Sequence, residues 1–145
     1  MAETHKTILI AEDSPDDVFI IRRSLAKTGL PYQLRFVSDG EQAIDYLQRK
    51  PPYDNTDTFP RPSLLILDLN MPHANGFEVL EWLKSQSVLQ RLPIVIHSSS
   101  NLESDQHRSS QLGAIAYFVK SGSPSDVGVM FKTIAANWLQ LSIPP

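Results

Sequence analysis

The sequence of 145 residues contains no cysteine, and this absence removes several classes of protein at once. Without cysteine there is no disulfide framework, no thiol nucleophile and no thiolate metal site, which is compatible with a reducing compartment. Basic residues are also too few for a broad surface that binds nucleic acid or anionic lipid, because the net charge is -3 and the pI is about 5.7. We therefore expect no nucleic-acid partner.

Long apolar runs are missing as well. Residues 1–6 lack the apolar stretch of a signal peptide, and no later segment is long enough to span a membrane. The sequence therefore predicts a cytoplasmic protein without membrane contact. With 41% hydrophobic residues, the chain suits one globular domain over residues 1–145, with a core at about 6–140 and a tail at about 140–145.

Short apolar runs alternate with helical patterns along the chain. The runs predicted as strands are residues 8–11, 32–37, 64–67, 93–97 and 116–119. Helices are predicted after each of them. Because helical crossovers are the usual connection between parallel strands, the pattern predicts a doubly wound α/β domain with a five-stranded parallel sheet flanked by helices.

Local signals place the ends of several elements. Ser14 followed by Pro15 is typical of a helix start, with serine as N-cap and proline at the first helical position. Residues 38–41 resemble a capping box for the second helix. Prolines and polar residues in the segment at about 49–62 predict an extended surface connection before the third strand.

Polar side chains follow four strands at the edge of the sheet where ligands are expected. In parallel sheets, ligands bind just beyond the carboxyl ends of the strands. The residues at these ends are Glu12 and Asp13 after the first strand, Asp68 after the third, Ser98 after the fourth and Lys120 after the fifth. We therefore expect three carboxylates, a hydroxyl and an ammonium group to lie close together.

Clustered carboxylates need a cation, since two unit charges about 4 Å apart repel by roughly 4 kcal/mol at an effective dielectric near 20. Mg²⁺ meets that need, because it prefers oxygen ligands and keeps several waters at a shallow site. We predict Asp13, Asp68 and the backbone carbonyl of Asn70 as direct ligands. Glu12 is predicted to bind the ion directly or through a metal-bound water.

The same residues suit phosphoryl transfer, where catalysis consists mainly of alignment and charge neutralisation. Asp68 is predicted to be the nucleophile and to become an acyl phosphate. Lys120 is predicted to pair with one phosphoryl oxygen and Ser98 to donate a hydrogen bond to another.

These motifs resemble response-regulator receiver domains, and the match runs in order over nearly the whole chain. It is carried by Glu12-Asp13, Asp68 within Leu67–Pro72, Gly76, Ser98-Ser99 and Tyr117–Lys120. The resemblance implies a flavodoxin-like receiver fold and a phosphohistidine on a sensor histidine kinase as phosphoryl donor. It also implies that Ser98 and Tyr117 are switch residues that rearrange when the aspartate is phosphorylated.

More narrowly, the proline-containing insert, Lys120-Ser121 and Asn137–Leu139 are similar to the stand-alone receivers that partner cyanobacterial phytochromes. This resemblance implies a phytochrome kinase as partner and output through protein–protein association, without an attached output domain. At Ser121 the chain departs from the wider family, which usually has proline there, often after a cis peptide bond. Before serine, a cis bond would cost about 3 to 4 kcal/mol.

The C-terminal helix region carries an apolar end that has two interpretations. Trp138, with Leu141 and Ile143 beyond it, closes the core of the domain in the simpler interpretation. In the other, the amphipathic helix and the apolar tail form a self-complementary surface of a homodimer. We predict the homodimer.

Three alternatives to a working receiver remain open at the level of sequence. A small Mg²⁺-dependent phosphatase of the haloacid-dehalogenase type also uses an aspartate nucleophile, but its usual second aspartate is Asn70 here, which cannot exchange a proton. A flavodoxin-like flavin protein would place phosphate after the first strand, where Asp16 and Asp17 add to the repelling acids. The third alternative is a receiver that is never phosphorylated. No role is predicted for His97.

Overall fold

The computed structural model describes residues 6–140. The predicted contributions of Leu141 and Ile143 to a dimer surface therefore lie outside the described residues. Eleven elements follow one another: β1 Thr7–Ala11, α1 Pro15–Thr28, β2 Gln33–Val37, α2 Gly40–Leu47, β3 Leu64–Leu67, α3 Gly76–Lys84, a 3-10 turn Ser87–Leu89, β4 Ile94–Ser98, α4 Glu103–Gln111, β5 Ala116–Val119 and α5 Pro124–Asn137.

All five strands are parallel, as predicted, and they lie in the order β2-β1-β3-β4-β5 of a doubly wound sheet. Alternate residues of each strand face opposite sides. Ile8 and Ile66 contribute to a core with α1 and α5, whereas Leu9 and Leu67 contribute to a second core with α2 and α3. Both faces of the sheet are thus covered, which explains why β3 and residues Ile8–Ala11 of β1 are apolar at every position.

The helix starts follow their local sequence, with one correction. Ser14 caps α1, since its side chain accepts a hydrogen bond from Asp17 N, and Gly29 ends that helix in the left-handed conformation. The capping box predicted at residues 38–41 was wrong by one position. Asp39 caps α2 by accepting from Gln42 N, because Ser38 lies one residue too early to reach the first helical turn.

The insert between α2 and β3 is a turn-rich connection, as predicted, but it is not simply extended over the surface. The rings of Tyr53 and Phe59 pack on each other and on Tyr46 of α2, with centroids 5.0 to 5.9 Å apart. The Tyr46 hydroxyl donates to the carbonyl of Pro60. This aromatic cluster attaches the insert to the sheet through α2.

A close backbone approach places the start of α3 against the end of β3. A Cβ atom at Gly76 would lie 2.5 Å from the carbonyl oxygen of Asp68 and 2.7 Å from the Cα atom of Leu69. Only glycine fits at this position without a shift of the backbone. The tight packing fixes the loop that follows Asp68.

Within residues 6–140, no helix is both long enough and apolar enough to cross a membrane.

Candidate functional site

Three carboxylates meet at the carboxyl ends of β1 and β3. One oxygen from each of Glu12, Asp13 and Asp68 lies within 4.8 Å of the others. Because Ala11 and Leu67 are paired in the parallel register, Glu12 and Asp68 leave neighbouring strands at the same level. Both are buried, whereas Asp13 is exposed. The sequence prediction that these acids converge is therefore met by the geometry.

Lys120 lies among the carboxylates and contacts two of them together with a further acid. Its Nζ is 2.6 Å from Glu12 Oε1, 2.9 Å from Asp68 Oδ2 and 2.9 Å from Asp17 Oδ2. Lys120 directly follows β5, which is separated from β3 by β4, so the long side chain spans one strand. The backbone nitrogen of Lys120 donates to the carbonyl of Ser98 at 2.7 Å, which fixes the position of the Lys120 backbone.

The electrostatics of the cluster favour a charged lysine. Burial alone would lower the pKa of Lys120, but its hydrogen bonds to Glu12, Asp68 and Asp17 outweigh burial and raise that pKa above its usual range. Burial raises the pKa of Glu12 to about 7, although the nearby ammonium opposes the shift. The positive charge of Lys120 therefore stabilises the nearby carboxylates of Glu12, Asp17 and Asp68.

Asp17 was not predicted as a site residue. From the sequence, it was named only among the acids after the first strand that would repel a phosphate group. In the structure, its carboxylate instead contacts Lys120. The sequence signal that could have identified Asp17 was its position in the first turn of α1, because this turn follows β1 closely and lies near its carboxyl end.

The remaining predicted residues lie around the cluster, and Asn70 contacts it through its backbone nitrogen. Asn70 is exposed, and its backbone nitrogen donates to Asp68 Oδ1 at 3.1 Å. Ser98 is fully buried, and its hydroxyl oxygen accepts from Ser100 N at 3.2 Å. The Tyr117 hydroxyl donates to the carbonyl of the same Ser100 at 2.8 Å. Ser98 and Tyr117 are therefore connected through one intervening residue.

The loop after Lys120 has a trans peptide bond before Ser121, since the cis peptide among residues 6–140 is Pro51-Pro52. The Ser121 hydroxyl donates to Asp126 in the first turn of α5 and accepts from Ser123 N. Serine at this position thus anchors the loop to α5 through side-chain hydrogen bonds.

His97 is buried on β4 beside the cluster. Burial lowers its pKa to about 4, and the positive charge of Lys120 acts in the same direction. It lines a cavity of about 240 Å³ together with Asp17 and Lys120. A neutral imidazole is therefore favoured in the folded protein.

The donor set suits a hard divalent cation. Carboxylate oxygens are the ligands that Mg²⁺ and Mn²⁺ prefer, and three of them are within reach of one ion. The ammonium of Lys120 already contacts Glu12 and Asp68, which shows that this space attracts positive charge. Asp13 adds an exposed carboxylate on the solvent side.

Comparisons with known proteins agree with this geometry. The family model described as "Response regulator receiver domain" matches residues 8–132. Response regulator Rcp1 of Synechocystis sp. is 35% identical over 135 residues, which cover 93% of this chain and 90% of Rcp1.

Solved structures of response regulators are also similar to this chain over nearly its whole length. The phosphorylated cyanobacterial phytochrome response regulator RcpA is 36% identical, with a TM-score of 0.84 over 98% of this chain and 99% of that one. The Mn²⁺-bound form of Rcp1 is 34% identical, with a TM-score of 0.80 over 97% and 99%. Response regulator RPA3017, from red light signalling of R. palustris, is 30% identical, with a TM-score of 0.87 over 97% and 99%.

Proposed function

Because the chain belongs to the response regulator receiver family, a family of signalling domains, we propose that it accepts a phosphoryl group from a sensor histidine kinase onto Asp68. The observation that carries this proposal is the position of the Asp68 carboxylate. Its Oδ2 lies 2.9 Å from Lys120 Nζ, and its Oδ1 accepts from Asn70 N. The nucleophile is thus oriented by two donors at the ligand-binding edge of the sheet.

In the proposed reaction, a carboxylate oxygen of Asp68 forms a bond to phosphorus while the bond from phosphorus to the histidine nitrogen of the kinase breaks. The developing charge lies mainly on the three other phosphoryl oxygens. Lys120 neutralises one of them, and Ser98 donates a hydrogen bond to another after leaving Ser100 N. These side chains align the phosphoryl group and neutralise its charge.

Mg²⁺ is the proposed cofactor, held by Asp13, Asp68 and the carbonyl of Asn70, with Glu12 as a direct or water-mediated ligand. When bound, the ion supplies charge neutralisation for the phosphoryl oxygens. The Mn²⁺-bound form of Rcp1 supports a divalent cation as the cofactor. In this chain, Lys120 must share Glu12 and Asp68 with the cation.

Output is proposed to pass from Ser98 to Tyr117. Both residues hydrogen-bond to Ser100, so a hydroxyl that turns toward a phosphoryl group releases one of the two bonds on that residue. The release changes the segment between β4 and α4, where Leu102 is 59% exposed. A partner protein that contacts this segment would detect phosphorylation.

We further propose that the chain acts as a single receiver domain, over residues 1–145, whose kinase partner is a phytochrome. Support comes from its likeness to RcpA, Rcp1 and a bacteriophytochrome response regulator that is 33% identical with a TM-score of 0.79. A homodimer through the C-terminal helix region is also proposed. On α5, Val129 is 58% exposed, and Trp138 beyond it is half-buried against the core.

The phosphatase alternative is less well supported. Asn70, the residue where such an enzyme needs a proton donor, is exposed and has no exchangeable proton of suitable pKa. The chain therefore has a phosphoacceptor but no evident acid for turnover of small esters.

The proposal is tested by measuring the intact mass after incubation with Mg²⁺ and acetyl phosphate, for wild type and Asp68→Asn. We expect one labile phosphoryl adduct on wild type and none on the variant. Lys120→Ala should weaken the phosphorylation-dependent response. Size-exclusion chromatography of the same samples tests the dimer. A normally phosphorylated Asp68→Asn protein would contradict the site, and steady release of phosphate from small esters would favour the phosphatase.

A further inference from the structure

A second cavity lies at the opposite end of the sheet from Asp68. It has a volume of about 320 Å³ and is lined by Ser63 and Pro93, the residues that precede β3 and β4. Because β4 runs five residues between the two ends of the sheet, roughly 15 Å separate this cavity from the phosphoacceptor site. We call it the arginine cavity.

Three arginines and no acidic residue line the arginine cavity. They are Arg49 from the insert, Arg61 from the segment before β3 and Arg91 from the segment before β4. None of the ion pairs within residues 6–140 involves any of them. Like charges around one cavity repel one another, and an anion between them offsets this repulsion. Within residues 6–140, the cavity is thus lined by three arginines without an ion-pair partner, in a protein whose net charge is negative.

The guanidinium of Arg49 is fixed in place. The backbone of Arg49 is left-handed, with a φ of 62°. Its Nη2 donates to the carbonyl of Phe59, and its Cζ lies 5.5 Å from the centre of the Tyr46 ring. Its Nε and Nη1 are buried without a hydrogen-bond partner in the described part of the chain. Buried donors without partners are uncommon because they lower the stability of the fold, so the guanidinium of Arg49 beside the cavity destabilises the protein while it has no further partner.

The rest of the lining is largely apolar, with Leu47, Leu89 and Leu92 as its main side chains. Arginine binds phosphate through paired N–H donors, and an apolar wall suits the body of an organic molecule. The volume is at the lower end for small-ligand sites and is too small for a folded peptide element. We propose that the arginine cavity binds a small organic phosphate, with the phosphate at the arginines and the organic group against the leucines.

The proposal is tested with phenyl phosphate and adenosine monophosphate as probes, on the full chain and without divalent cations. Amide NMR spectra should show shifts at residues 47–49, 61–63 and 88–92 rather than at Glu12 and Asp68. Calorimetry should give a Kd below about 1 mM for at least one probe. Arg91→Ala should weaken that binding at least about tenfold, because a charge-assisted hydrogen bond is lost.

The matched control is Arg23→Ala, which removes an exposed arginine of α1 outside the cavity and should leave the affinity unchanged. Adenosine, which lacks the phosphate, should not bind. Failure of both probes to bind below about 1 mM would overturn the proposal. Equal weakening by Arg23→Ala and Arg91→Ala would do the same, as would tighter binding of a hexaglutamate peptide, which would reassign the cavity to acidic segments of proteins.

Discussion

Asp17 holds its Oδ2 atom 2.9 Å from the Nζ of Lys120, the same distance at which Lys120 contacts Asp68. An ammonium group has three N–H donors, and here Glu12, Asp17 and Asp68 accept all three. Asp17 is therefore a positioning residue, because it holds Lys120 without belonging to the three carboxylates that are proposed to hold Mg²⁺.

Asp17→Asn should weaken Mg²⁺ binding by about twofold to fivefold, since an ion pair of this exposure contributes at most about 1 kcal/mol. Without Asp17, the lysine depends on Glu12 and Asp68 and competes with the cation for them. One negative charge is lost as well, which acts in the same direction. Magnesium titration by calorimetry measures the effect. Asp16→Asn, an exposed neighbour, is the control, and equal affinities for the two variants would contradict the positioning role.

Lys120→Met should destabilise the metal-free protein by about 2 to 4 kcal/mol at neutral pH, because Glu12 and Asp68 would remain buried without their counter-charge. Mg²⁺ should reduce this difference, because Lys120 no longer competes with the cation for Glu12 and Asp68, so the ion stabilises the folded variant more than folded wild type. Urea denaturation in EDTA and in excess Mg²⁺ checks both statements. Lys132→Met, at an exposed position of α5, provides the control. A variant whose stability does not depend on Mg²⁺ would be inconsistent with the proposed cation site.

His97→Gln should make the fold less sensitive to acid. The pKa of His97 falls from 6.5 to about 4 on folding, so the unfolded chain binds more protons in that window. Its contribution to stability is thus complete above pH 6.5 and is lost as the pH falls toward 4. Between these limits, wild type should lose on the order of 2 kcal/mol more than the variant. Chemical denaturation across this range measures the difference, with the exposed His107→Gln as control.

The fold and the centre of the site follow from the sequence because both depend on local patterns. The bounds of β3 and β5 equal the predicted ones, and parallel strands must bring Asp68 and Lys120 to the same edge. The prediction that three acids and a lysine converge depends only on which residues end these strands, and it requires no knowledge of side-chain direction.

What the sequence could not provide was the choice among competing hydrogen bonds. Ser98 was predicted to face the phosphoryl group, yet its hydroxyl oxygen accepts from Ser100 N, a local alternative that is always available to serine. The burial of Tyr46 on α2 was not predicted either, because the insert supplies the partners for its ring and hydroxyl. Long-range packing of this kind leaves no periodic signal.

Gly76→Ala should destabilise the protein by about 1 to 3 kcal/mol, because the added methyl group would meet the backbone of Asp68 and Leu69 at 2.5 and 2.7 Å. Alanine has the better helix propensity, by up to about 1 kcal/mol, but the steric conflict involves backbone atoms that cannot move aside alone.

Gly128→Ala is the matched control. Within α5, its nearest neighbour would be Thr28 Cγ2 at 4.0 Å, so propensity decides and the variant should be more stable than wild type. Urea denaturation of both variants should therefore give opposite signs. A Gly76→Ala protein as stable as wild type would show that the loop after Asp68 is not fixed by this contact.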